Sequence, residues 1–249
     1  MPVCNSFYHL IPIIKYSMDK YWNSDLDVTI IGYKKPNFDL CNWKFYSLGD
    51  VDRGPCYWVF EMLDFFSKVD DEFFIYWNED RPIIRPINMG LFNDLMSYLE
   101  DNIGRIGLTK DIQTMRFEHY KTINNHQIIK LKNDAFLRNS LMCSIWNRNY
   151  FLMSLEIYKK SSNSFNAGIF ERNIDNKIDL CRNSKGETYE ILGSLDKHVF
   201  QLVNLYRKDH NSGKFPGDFE RTWFKDDYSD DEMYQDDRDE IFKLIEKYK

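Results

Sequence analysis

A chain of 249 residues, 43% of them hydrophobic and 16% aromatic, is long enough to bury a sizeable core, and no run in it approaches the ~18 apolar residues of a membrane span. The net charge of −6 lies in residues 226–249, which carry ten acidic and four basic side chains and leave 29 of each sign elsewhere. A neutral body excludes a broad electrostatic footprint for nucleic acid, though not a local basic groove. Five scattered cysteines with no CxxC pair exclude a disulfide framework and a zinc cluster.

Reduced thiols, and an opening MPVCNSFYHL that lacks the basic and small-residue features of a signal peptide, lead us to expect a cytoplasmic protein. Alanine occurs only at 135 and 167, whereas Asn, Asp, Lys, Phe and Tyr abound. This bias resembles coding in the AT-rich genome of a large DNA virus or phage, and the cytoplasm would then be that of the host.

In chain order, residues 2–5 read as a short first strand, and residues 7–22 as a helix with Pro12 near its start. Residues 27–32 (DVTIIG) read as a β-branched buried strand and 43–48 as a shorter one. Residues 56–68 are expected to be an apolar helix opened by Pro55. Residues 72–77 form the next strand. A helix over 89–102 follows, capped by Asn88, and then a strand over 105–109.

The second half predicts strands over 113–120 and 127–131 about an Asn124–Asn125 turn, and a strand over 140–145. Helices are expected over 150–159, 165–172, 196–206 and 239–249, with short strands over 177–180 and 189–192. The acidic stretch 226–237 reads as a solvated connector. Alternation of strand and helix through the first 110 residues predicts an α/β fold with a mainly parallel central sheet flanked by helices, and a smaller mixed C-terminal half. The expected organisation is a single domain over 1–225, followed by the connector and terminal helix over 226–249.

In EFFIYWNEDRP, the apolar run from Phe73 to Trp77 stops at Asn78, Glu79 and Asp80. Ligands in parallel α/β sheets bind beyond the C-terminal ends of strands. A hard cation such as Mg2+ or Mn2+ takes one or two carboxylates together with phosphate and water. The residues alone admit a second reading, in which the acids cap a turn or pair with Arg81 or Arg85. Five histidines show neither HxH nor HxxxH spacing, and no GxSxG, Walker A or GxGxxG motif occurs.

The stretch DRGPCYWVFEMLDFFSKVDDEFFIYWNEDRPIIRPIN resembles the recurrent pattern of nucleotide-sugar glycosyltransferases of the GT-A type. In that pattern an apolar helix leads to a strand ending in a DxD-like element and then a proline-containing loop. SMDKYWNSDLDVTIIG, SIWNRNYFLMSLEI (144–157), NSFNAGIFERN (163–173) and GKF (213–215) are similar to further elements of the family, in the same order over residues 16–216. The resemblance implies Mn2+ or Mg2+ at Asp80, with Glu79 auxiliary and Asn78 in place of the usual first acid. It implies a nucleotide-sugar donor, with UDP-sugars favoured, and a hydroxyl-bearing acceptor. Glu171 matches the family's catalytic acid and would take the acceptor's proton as general base.

Asn5 and Ser6 would seat the nucleoside, and Asp52 and Arg53, before a helix N-terminus, would meet the diphosphate, with Lys214 closing over it. Trp146 and Arg148 are the acceptor-side candidates. Each of these residues also has a plain structural reading: Glu171 as a residue favoured by a helix dipole, Trp146 as core, Arg53 as a partner of Asp50 or Asp52. Two alternatives accompany the glycan-acceptor reading. One is a phage-type enzyme acting on DNA with hydroxymethylated bases, its channel lined by Lys130, Lys132, Arg138 and Arg148. The other is a non-catalytic binding protein that keeps the fold.

Overall fold

The computed structural model describes residues 1–110, 116–135, 138–161, 165–173, 181–195, 198–203, 205 and 233–248. They form two compact units: Met1–Asp52, Asn78–Ile87 and Phe200–Lys249 make the first, and Arg53–Trp77 with Asn88–Val199 the second.

The first unit opens with Pro2 bridging Ile31 in parallel register. A 3-10 turn, Asn5–Leu10, leads into helix α1, Ile11–Tyr21. The expected single helix is thus divided. Pro12, which has no N–H to donate, fits the first turn of α1 but not the interior of a longer helix. Strand β1, Thr29–Gly32, pairs in parallel with β2, Lys44–Ser47. Gly32 is required at the end of β1, because a Cβ there would lie 2.3 Å from the Tyr8 hydroxyl.

In the second unit a short 3-10 turn begun by Pro55 precedes α2, Trp58–Phe66, and β3, Phe73–Tyr76, follows. Helix α3, Met89–Met96, is capped by the Asn88 side chain, which accepts from the Leu91 amide at 3.1 Å. Strand β4, Ile103–Gly107, contains Gly104, where a Cβ would collide with the Tyr150 ring at 2.8 Å. A hairpin joins β5, Phe117–Ile123, to β6, His126–Leu131. Its turn residues Asn124 and Asn125 both have positive φ, as a tight two-residue hairpin requires. Next come β7, Ser144–Asn147, helices α4, Arg148–Ser161, and α5, Ala167–Asn173, and strand β8, Glu190–Ser194.

The fold is mixed α/β, with a six-stranded sheet ordered β3-β7-β4-β8-β6-β5. The expected mainly parallel sheet is corrected here: of its pairings only β4 with β8 is parallel. The cause is β7, which inserts between β3 and β4 and runs antiparallel to both. All four of its residues are buried, whereas β3 is half-buried along most of its length. β7, buried along its whole length, holds an interior position, and β3, expected to be central, lies at the edge. No helix among the described residues is long and apolar enough to cross a membrane, and all five cysteines are free thiols.

The chain then returns to the first unit. Residues 200–203 are extended rather than helical: Leu202 bridges Ile83 in antiparallel register, and Gln201 and Pro82 carbonyls accept from Ile84 and Val203 amides. The terminal helix α6, Gln235–Tyr248, closes an apolar cluster of Leu10, Ile13, Ile84, Val203, Leu205, Met233, Ile241 and Ile245. Most of the acidic connector, residues 226–232, lies outside the described residues. Its last member, Asp237, is not solvated but 1% exposed. Its carboxylate accepts from the hydroxyls of Tyr16 (2.6 Å) and Tyr21 and from the Lys20 ammonium. Burial alone would raise its pKa, but these donors and the Lys20 charge outweigh burial and hold it below the ordinary carboxylate value.

A carboxyl with a depressed folded pKa contributes stability above its unfolded pKa of about 4 and loses it as pH falls through the folded value. Asp237→Ala takes an acceptor from the buried Tyr21 hydroxyl, the part-buried Tyr16 hydroxyl and the exposed Lys20 ammonium and should cost about 1–2 kcal/mol at neutral pH, seen as a lower Tm. The deficit relative to wild type should shrink below about pH 4. An equal Tm for variant and wild type at neutral pH would show that Asp237 does not anchor α6.

Candidate functional site

Strand β3 ends at Tyr76, and the chain enters the first unit at Asn78. There Asn78, Glu79 and Asp80, together with Phe7, line a half-open cavity of about 170 Å3, room for roughly five waters. The backbone of the tripeptide is held from both ends. The Arg81 amide donates to the Asn78 carbonyl at 3.3 Å and the Leu205 amide to the Asp80 carbonyl at 2.9 Å.

Burial, and then the neighbouring Asp80 charge, push the Glu79 carboxyl up to about 7. Burial raises Asp80 as well, against the opposing pull of Arg81, whose Nε lies 3.7 Å from Oδ1. Asp80 keeps 22% of its side chain exposed, so solutes reach it. Asn78 Oδ1 is buried and has no hydrogen-bond partner among the described residues, an arrangement that costs about 1–3 kcal/mol unless something binds it. Two crowded carboxylates and an orphaned amide oxygen make an all-oxygen donor set, the kind that hard divalent cations take. Among the described residues no three His, Cys, Asp or Glu side chains gather into a metal cluster. A cation here would draw its remaining ligands from water and from the bound molecule.

Other expected donor-side residues collect beyond the C-terminal ends of the same unit's parallel strands. Asn5 opens the 3-10 turn that carries Phe7, and its Oδ1 accepts from the Lys34 amide at 3.4 Å. Cys4 Sγ joins Ser6 and Asp52, at 3.2 Å from Ser6 Oγ and 3.5 Å from Asp52 Oδ2. Asn5, Ser6 and Asp52 therefore converge although 48 residues separate Cys4 from Asp52. Of the two arginines beside the acids, Arg81 faces Asp80, while Arg85 lies over the Tyr234 ring at 4.1 Å.

No protein-family model matches the chain, and no curated protein matches it.

The second unit holds the acceptor-side residues. Glu171 lies in the second half of α5, and its Oε1 accepts from the Leu141 amide at 2.6 Å. Trp146 is 0% exposed in the core of that unit, stacked on Tyr150 at 5.9 Å with the Arg105 guanidinium over its ring. It presents no face to a solute in this arrangement, because β7 is buried on both sides. Arg148 donates from its guanidinium to the Val69 carbonyl and from its amide to the Glu72 carbonyl at 2.8 Å, anchoring the approach to β3. The Arg53 guanidinium lies 5.7 Å from the centre of the Tyr57 ring. Lys214 and the GKF segment lie outside the described residues.

Of the residues expected to line a channel for DNA, Arg138, Arg148 and Lys130 are engaged within the second unit. Arg138 is 1% exposed and donates to the Leu131 and Tyr189 carbonyls and to Asn133 Oδ1. Lys130 pairs with Glu118 and Glu190, and Lys132 is exposed. Sequence reasoning missed Phe7. Its apolar side chain, among others at helical spacing, carries no mark that separates a cavity wall from a core residue.

A carboxyl with a raised folded pKa gives stability that is fully present below its unfolded value and lost as pH rises through the folded one. For Glu79 that window runs from the ordinary carboxyl value of 4.5 to about 7. In a chelator, Glu79→Gln should therefore gain Tm relative to wild type between about pH 5 and pH 8. A difference between the two proteins that does not change with pH would contradict the burial of that charge.

Proposed function

We propose that the chain is a GT-A-type glycosyltransferase that moves a sugar from a nucleotide-diphosphate sugar, with UDP-sugars favoured, to a hydroxyl of a glycan or similar acceptor. The observation that carries this reading is the cavity at Asn78, Glu79 and Asp80, where an orphaned amide oxygen meets two crowded carboxylates. The ordered resemblance of residues 16–216 to the family supports it, as do the parallel strands whose ends gather Asn5, Ser6 and Asp52.

In this reading Asp80 and Glu79 hold Mn2+ or Mg2+, and Asn78 Oδ1 completes the protein's share of the ligands. The cation, when bound, supplies positive charge against the diphosphate. Asn5, Ser6 and Asp52 hold the nucleoside end, and Arg53 and Lys214 are assigned to the phosphates. The acceptor oxygen attacks the anomeric carbon, the bond from that carbon to the diphosphate oxygen breaks, and the diphosphate leaves with the electron pair. Glu171 takes the acceptor's proton. Its Oε1 accepts from the Leu141 amide, and as a carboxylate it has the chemistry of a general base.

A thermal-shift screen of UDP- and GDP-sugars with and without Mn2+ tests the donor half. A true donor at 100 times its Kd stabilises the folded chain by about 2.7 kcal/mol. That shift should need Mn2+ and disappear in Asp80→Ala, and a metal-dependent shift that survives Asp80→Ala overturns the assignment. Glu171→Gln keeps an acceptor for the Leu141 amide and should lower kcat about 100-fold or more with donor KM nearly unchanged. Donor binding with neither transfer nor hydrolysis would instead identify a binding protein that keeps the site.

A further inference from the structure

A row of three aromatic rings lies at the surface of the second unit. Tyr57 and Phe60 are 44% and 36% exposed, with ring centres 6.3 Å apart. Phe165 continues the row, 5.0 Å from Phe60. The row is fixed to the scaffold: Tyr57 ends the 3-10 turn before α2 and Phe60 lies in α2. The Val59 amide donates to the Phe165 carbonyl at 3.2 Å. Each end of the row meets a part of the proposed reaction. The Arg53 guanidinium, assigned to the phosphates, lies over Tyr57, and Phe165 leads into α5, which carries Glu171. An acceptor must reach both the leaving diphosphate and the base, so this row is placed for an acceptor.

The flanking charges select the occupant. Lys159 lies 5.7 Å from the centre of the Phe60 ring and pairs with Glu156 at 3.5 Å. Asp64, one turn beyond Phe60 on α2, pairs with Lys68 at 2.8 Å. Charges of both signs, set in pairs, give little net attraction for the phosphates of a nucleic acid or of an anionic membrane. They do offer hydrogen-bond donors and acceptors to hydroxyls. The negative face of an aromatic ring, in turn, attracts the polarised C–H groups of a sugar. We propose that Tyr57, Phe60 and Phe165 form a docking surface for an acceptor made of several uncharged sugars. This proposal rests on the glycosyltransferase reading and deepens its acceptor half.

Tyr57→Ala and Phe60→Ala each remove a ring, whereas Tyr57→Phe keeps it. Wild type and the three variants, with folding checked by Tm, are tested on an array of neutral oligosaccharides, on an oligothymidylate and on phosphatidylserine vesicles. The thermal-shift screen of UDP- and GDP-sugars with Mn2+ is run alongside. Wild type should bind neutral oligosaccharides, and bind longer chains more tightly than single sugars. Tyr57→Ala and Phe60→Ala should each weaken that binding about tenfold, Tyr57→Phe should keep it, and the sugar-nucleotide shift should be the same in every variant. Oligosaccharide binding that survives the loss of either ring, or a wild type that binds none, overturns the docking surface. A tighter hold on the oligothymidylate or the vesicles than on any neutral oligosaccharide also overturns it. In each of these cases a Mn2+-dependent sugar-nucleotide shift in wild type leaves the donor reading standing, and its absence overturns both.

Discussion

Closure of one apolar cluster holds the first unit together, and the candidate site depends on it. Leu10 and Ile13 come from the start of the chain, Ile84 from the middle, Val203 and Leu205 from the return segment, and Met233, Ile241 and Ile245 from the end. Each fully buried Leu or Ile contributes about 2 kcal/mol by leaving water, and none of these segments buries its apolar side alone. The same closure presses Phe7 into place and lays the Leu205 amide on the Asp80 carbonyl. The acidic turn is therefore positioned by groups that join it only when the terminal helix docks.

Two acids in this unit, Asp237 buried and Glu79 partly exposed, meet the cost of removing charge from water in opposite ways. Asp237 receives two hydroxyls and an ammonium, and its carboxyl stays ionised. Glu79 has beside it a second carboxylate, and its carboxyl is pushed towards the neutral form. A backbone hydrogen bond and the Met1 ammonium oppose that push without cancelling it, and in the proposed reading an outside cation would offset the rest. The unpartnered oxygen of Asn78 points the same way, since an amide carbonyl adds a ligand without adding more negative charge.

Much of the architecture was legible along the chain. DVTIIG marked β1, Asn124–Asn125 the hairpin, Asn88 the cap of α3, and Pro12 and Pro55 the first turns of their helices. The apolar run of β3 and the polar tripeptide that follows it were legible in the same way. Residues 200–203 were not: Phe200, Leu202 and Val203 satisfy a helical pattern as well as an extended one, and pairing with Ile83 decided between them. Trp146, read as core or acceptor-side, and Arg138, a candidate only for a DNA channel, were left open for a related reason, and both are buried. Aromatic and guanidinium groups serve a surface or a core equally well, and only the packing of β7 and the carbonyls of Leu131 and Tyr189 show which.

Local chemistry that acts within a few residues was determined by the sequence alone: where strands and turns begin, where prolines are tolerated, and that an apolar run ends in three oxygen-bearing side chains. Tertiary structure decided what depends on partners distant in the chain. It set the order and direction of the strands: β7, whose Ser144 and Asn147 give no apolar run, is buried between β3 and β4 and runs antiparallel to both. It turned Asp237 from a member of an acidic run into the anchor of a helix. It also brought Phe7 against Asn78, Glu79 and Asp80, a meeting of residues some seventy positions apart that no local pattern encodes.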